Sequence, residues 1–201
     1  MSLNNNNTKV IEALSLDERI EAKLSYQDKN HVDNANVEAV LTKPEGSYFV
    51  KDWFFGSNIV TLDGAIYYAK KSAGETPATN ENFGAGRFEL RDAADTPADT
   101  DTYTNVLTPI TASRQVFTSG YPKTNDTGDA DNTGDGVNVV SYATLWTTTS
   151  FSANTIQGGM IHDNASPVGA TKLLTHFSIT SFAKTTSDTL KIFCNHALAH
   201  P

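Results

Sequence analysis

Apolar and polar residues alternate along much of the second half of this chain. Between Thr189 and Leu198, Leu190, Ile192, Cys194 and Leu198 fall on one side, and Lys191, Phe193 and Asn195 on the other. A period of two marks a strand that buries one face. Arg87-Phe-Glu-Leu-Arg91 alternates in the same way, with Phe88 and Leu90 turned inward. Val137 to Trp146 carries apolar residues on both faces: Val137, Val139 and Leu145 against Val140, Tyr142 and Trp146. That pattern predicts a strand covered on both sides. Gln115 to Ser119, Thr155 to Ile161, Lys172 to Phe182 and a short run over Val37 to Lys43 complete the predicted set. Many short strands separated by turn signals predict a mainly β fold, an antiparallel β-sandwich or barrel-like domain.

The first part of the chain follows a different period. Val10, Ile11 and Leu14 recur at helical spacing, as do Ile20 and Leu24. Ser15-Leu-Asp-Glu18 matches a capping box, so two short helices with a break near Ser15 are predicted. Helices this short need a packing partner. A third helix is predicted over Thr61 to Lys71, with Thr61 as N-cap and Leu62, Ile66 and Ala69 on one side. The division expected is a partly helical N-terminal extension over residues 1–56 and a β-sandwich domain over residues 57–201. Tyr48, Phe49, Val50, Trp53, Phe54 and Phe55 form the densest aromatic cluster, near that boundary. Rings that bury so much area anchor a core or an interface. The interface candidates are therefore Val10, Ile11, Leu14, Ile20, Leu24, Tyr48, Trp53, Phe54 and Phe55.

Charge narrows the partners. The net charge is −8, and no basic run exceeds Lys70-Lys71. Nucleic-acid binding needs a positive footprint, so none is expected. The single cysteine, Cys194, leaves no internal disulfide and fits synthesis in a reducing cytosol. The start, Met-Ser-Leu-Asn-Asn-Asn-Asn, lacks the basic and apolar regions of a secretory signal, and no stretch is long and apolar enough for a membrane helix.

Three places could hold chemistry. The loop from Asp126 to Gly136 offers Asp126, Asp129, Asp131 and Asp135 among glycines, the oxygen-rich composition a calcium loop needs. An EF-hand frame begun at Asp129 puts Val140 where the bidentate Glu belongs, so a solvated loop is the simpler reading. Cys194 and His196 share a strand face, and His200 and His176 could join them at a metal, but paired zinc spacings are absent. His162-Asp163 follows Gly158-Gly159 without a nucleophile elbow, and Gly84-Ala-Gly86 leads into a strand rather than a phosphate-cradling helix. No enzyme and no cofactor are expected, calcium being the one cation the composition suggests.

Four segments together resemble the tail fibre and tail-collar fibre proteins of tailed bacteriophages. They are Asn58-Ile-Val-Thr-Leu-Asp-Gly64; Arg87 to Arg91 with the Thr-Pro-Ala loop after Asp95; Val137 to Phe151 with Thr155 to Ile161; and Lys172 to Phe182 with Lys184 to Phe193. The insertion Tyr121–Gly136 and the Ile156-Gln-Gly-Gly-Met160 strand depart from that pattern. The resemblance implies a virion structural protein, assembled in the host cytoplasm as part of a tail or neck appendage. It implies a homo-oligomer, a trimer for a fibre or decoration, in contact with other virion proteins. A head decoration protein and a calcium- or glycan-binding β module are the alternatives. On this reading the N-terminal extension is a docking arm.

Overall fold

The structure is a computed structural model, described here for residues 37–78, 81–106, 109–126, 139–163 and 171–198. Nine strands alternate with little else: β1 (Val37–Glu45), β2 (Tyr48–Val60), β3 (Arg87–Arg91), β4 (Pro109–Val116), β5 (Lys123–Thr124), β6 (Val139–Trp146), β7 (Ala153–His162), β8 (Leu173–Lys184) and β9 (Thr189–Ala197). One α-helix, α1 (Leu62–Ser72), follows β2. The mainly β, antiparallel fold is thus what the residues form. The strands lie in one continuous sheet, ordered β4-β3-β7-β8-β2-β1-β9-β6-β5. Among the described residues the strands do not divide into two separate sheets.

That sheet curls until its flanks meet. Trp146 of β6 donates its indole N–H to the Ser113 carbonyl of β4 at 2.6 Å, and Thr144 donates to the Val116 carbonyl at 3.1 Å. The Thr118 amide, just past β4, donates to the Ala143 carbonyl at 2.8 Å. Closing the sheet in this way removes most of the open edge that an isolated sheet would present. An eight-stranded interior is about wide enough for side chains to fill. Here Phe88 meets Trp146, Phe117 and Phe177 edge to face, with centroids 5.8–6.1 Å apart. Leu41, Leu90, Ile156, Ile161, Leu190 and Ile192 pack in the same buried cluster.

Alternation explains which face each strand buries. Val37, Ala39 and Leu41 of β1 point inward, as do Leu190, Ile192 and Cys194 of β9. Phe193, on the opposite face of β9, is also buried, in a second small cluster with Trp53 and Ala143. Leu198 lies beyond the end of β9 and is exposed. Where the register of β3 shifts against β4, between Phe88 and Leu90, the Ser113 hydroxyl takes the Leu90 amide at 2.7 Å and replaces the lost ladder bond.

Residues 37–56, assigned from sequence to the extension, form β1 and most of β2, in the middle of the sheet. The helices expected around Val10, Ile11, Leu14, Ile20 and Leu24 lie outside the described residues. The helix expected at Thr61 is α1, and Thr61 caps it, its hydroxyl accepting from the Gly64 amide. The same hydroxyl donates to the Leu173 carbonyl of β8, and the Thr61 amide to that of Leu174. Gly64 permits this close seat, because a Cβ there would lie 2.2 Å from the Leu174 carbonyl oxygen. No helix among the described residues is long and apolar enough to cross a membrane.

Candidate functional site

Three features stand out from this scaffold. The first is the β1–β2 hairpin. β1 pairs with β9 only as far as Thr42, and β2 pairs with β8 only from Gly56 onward. The hairpin between those points therefore carries ladder bonds on one side only, with a turn at Gly46 (φ 66°). Tyr48 and Phe49 stand exposed at its end, Phe49 at 62%. Lys43 and Asp52 pair across it at 2.9 Å. Further along, Phe54 stacks on Phe182 at 4.4 Å, and Trp53 is buried. The aromatic cluster thus divides: Trp53, Phe54 and Phe55 anchor the hairpin to the barrel, while Tyr48 and Phe49 face solvent.

The second feature is a charged cluster on the outer face of β3, β7 and β8. Phe88 and Leu90 turn into the barrel, so Glu89 and Arg91 point the other way. They are nonetheless fully buried, because the segment from Asp92 to Val106 folds back over them as a strap. Tyr103 and Val106 of the strap pack on Met160 and Leu173. Tyr103 donates its hydroxyl to Glu89 Oε2 at 2.9 Å, and Arg114 donates to the same oxygen at 3.0 Å. His162 Nε2 lies 3.4 Å from it. Burial acts to raise the Glu89 pKa, but hydrogen bonds from His162, Tyr103 and Arg114 outweigh it and hold the carboxylate below its ordinary value. Arg91 reaches Asp95 at 2.9 Å, and His176 Nδ1 meets Asp101 at 2.5 Å. Gly158 lies beneath that arginine where β7 passes close to β8: a Cβ there would stand 2.5 Å from the Phe177 carbonyl oxygen and 3.1 Å from Arg91 Nη2.

The third feature lies inside the barrel beneath α1. The Tyr68 hydroxyl is 2.7 Å from His196 Nδ1 and 3.0 Å from the Tyr142 hydroxyl. Cys194 Sγ sits 3.5 Å from His196 Nε2 and accepts from Asn58 Nδ2 at 2.8 Å. A cysteine beside a histidine is the starting point for nucleophilic catalysis, but only if the thiol can ionise. Burial pushes the thiol up to about 12 and the imidazole down to about 3. Both groups stay neutral near neutral pH, so this pair forms a hydrogen-bonded plug rather than an activated nucleophile.

The other residues singled out by sequence disperse. Cys194 and His196 do share a face, whereas His176 is on the outer charged cluster, and His200 lies outside the described residues. Asp163 accepts from the Lys172 amide at 3.1 Å, closing the ends of β7 and β8. Asp126 is buried, with its carboxylate engaged by the Tyr121 hydroxyl at 2.6 Å and by Lys123 at 2.7 Å. Asp129, Asp131 and Asp135 lie outside the described residues. Among the described residues no group of three or more His, Cys, Asp or Glu side chains is placed to hold a metal ion. A cleft of about 310 Å³ lined by Asp92, Ile110 and residues 152–155 has Asp92 as its one ionisable side chain.

The charged cluster was not foreseen. Glu89 and Arg91 read as the solvent face of an alternating strand, and the strap reads as a polar loop. The available signal was charge matching: basic Arg91 four residues before Asp95 of the Thr-Pro-Ala loop.

The fold and these sites define a curled antiparallel barrel with a filled interior and a projecting aromatic hairpin. Comparison of the chain with protein-family models, curated proteins and solved structures finds no match.

Proposed function

We propose that this protein is a structural component of a tailed-phage virion, in a tail or neck appendage, working by contact rather than catalysis. The observation that carries the reading is the β1–β2 hairpin. Its shaft is anchored by Trp53 and Phe54, while Tyr48 and Phe49 are held out in solvent. Exposed aromatics on a projecting hairpin are suited to burial against a partner. The buried network beneath α1 supports the same reading, because it joins Cys194 and His196 to each other and to the neutral Tyr68 and Asn58. The four segments that resemble tail fibre proteins add the particle to the argument. The partners proposed are further copies of this chain, as a trimer, and neighbouring virion proteins. The N-terminal extension serves as a docking arm.

Mass spectrometry and immunolabelling of purified particles test this. Low copy number with label at the tail or neck is expected. Label spread over the head would favour the decoration protein, and absence from particles would overturn the proposal. In Tyr48→Ser/Phe49→Ser the barrel is expected to keep its fold while incorporation falls.

A further inference from the structure

The apolar side of α1 faces away from the barrel. Gly64 and Tyr67 are buried against the sheet. Leu62, Ala65, Ile66 and Ala69, spaced i, i+3, i+4 and i+7, are all exposed, Leu62 at 65% and Ile66 at 39%. This spacing is that of a helix face which packs on another element. Two bulky residues alternate with two alanines along it, and small residues let a second helix approach closely.

The topology indicates what can reach it. Val37 pairs with Gly56, and β2 continues from there to Val60 and directly into α1. β1 runs antiparallel to β2, so the chain preceding Val37 enters the barrel at the end that α1 occupies. From the Val37–Gly56 row to the start of α1 is about five residues of strand, roughly 16 Å. Residues 27–36 could span roughly 33 Å if extended. Immediately before them, Val10, Ile11, Leu14, Ile20 and Leu24 supply apolar positions at helical spacing.

We propose that the segment 8–26 of the same chain docks on the Leu62–Ala69 stripe of α1 in the free subunit. Tethering favours this occupant over a second copy. Two exposed large side chains offer far less than the roughly 800 Å² per partner of a stable dimer, whereas a short linker holds its own segment at millimolar effective concentration. The inference holds whether or not the chain belongs to a virion.

A nitroxide on Ser72→Cys tests it, Cys194 being buried and shielded from the label. In the isotope-labelled full chain, amides of residues 8–26 are expected to lose most of their intensity. Adding Ile66→Asp should restore that intensity while the sheet resonances stay in place. No loss in the labelled chain would overturn the proposal. So would an equal loss when the nitroxide sits only on a second, isotopically silent copy, which would show docking between chains.

Discussion

Two buried polar clusters in this barrel have opposite electrical characters. Beneath the strap, Glu89 is fully buried yet held ionised, because Tyr103, Arg114 and His162 converge on one carboxylate oxygen. Beneath α1, Tyr142, Cys194 and His196 are as deeply buried and Tyr68 is half-buried, and desolvation pushes every one of them toward its neutral form. Burial alone disfavours charge; burial with converging donors can preserve it. The outer cluster can supply charged partners because Arg114 and the strap acids retain contact with water. The inner cluster is flanked by Tyr67 and Phe117, and its hydrogen bonds run among Tyr68, Tyr142, His196, Cys194 and the neutral amide of Asn58.

The largest effect should come from breaking the charged cluster. Glu89→Ala removes the fully buried carboxylate on which the Arg114 guanidinium and the Tyr103 hydroxyl converge, and leaves both without it. Removing one partner of a buried pair costs about 3 kcal/mol or more. Urea denaturation should show that loss, with part of it recovered in Glu89→Leu/Arg114→Met, where both charges go. An Ala variant within about 0.5 kcal/mol of wild type would mean that the strap is held by Tyr103 and Val106 packing instead.

How far the sequence revealed these two clusters depends on locality. Strands read well where a period of two runs uninterrupted, as in β9 and β3, and Thr61 announced its helix through a cap that acts within three residues. Cys194 and His196 were recognisable as neighbours because positions two apart on a strand share a face. Their neutrality was not, since it comes from burial under Tyr68, more than 120 residues away in sequence. Glu89 was missed for a related reason. An alternating strand shows two faces but not what covers them, and a strap that closes over the polar face leaves little local trace. The same logic governs α1. Its apolar stripe suggested a packing face, yet Gly64 brings the opposite side onto β8, because only a residue without a side chain fits against the Leu174 carbonyl. The extension's boundary was placed inside β2 because the dense aromatics of Tyr48–Phe55 obscure its alternation.

Acid should separate the clusters next. Burial pushes the His196 pKa down to about 3, well below the roughly 6.5 of an unfolded chain. Above that unfolded value neither state binds the proton and stability is unaffected. As pH falls below it, the unfolded state gains a proton that the native state refuses. Stability then falls by up to about 1.4 kcal/mol per pH unit until the native pKa is reached. His176, shifted down by burial against the opposing pull of Asp101, works in the same direction. Glu89 has the carboxylate pattern: its contribution is complete above the unfolded pKa of roughly 4.3 and is lost only below it. Between about pH 6 and about pH 5 the histidines therefore act without Glu89. His196→Asn should flatten the urea-midpoint slope in that window, and an unchanged slope would mean that His196 is protonated in the native barrel.

The smallest effect should come from the neutral plug. Tyr68→Phe removes one hydroxyl and leaves His196 and Tyr142, both uncharged, to satisfy each other or a water. A neutral hydrogen bond contributes about 1 kcal/mol, a third of the loss expected at Glu89. Cys194 makes this difference measurable without denaturant. Its thiol is fully buried and pushed up to about 12, so a thiol reagent must wait for the barrel to open. When opening and closing are fast relative to modification, the labelling rate follows the open population, and a loss of about 1 kcal/mol raises it roughly fivefold. A hundredfold acceleration in Tyr68→Phe would point to a cost like that of an unpaired buried charge, and the distinction between the clusters would collapse. No acceleration would mean that Cys194 is exposed by a local movement of β9 that leaves α1 in place.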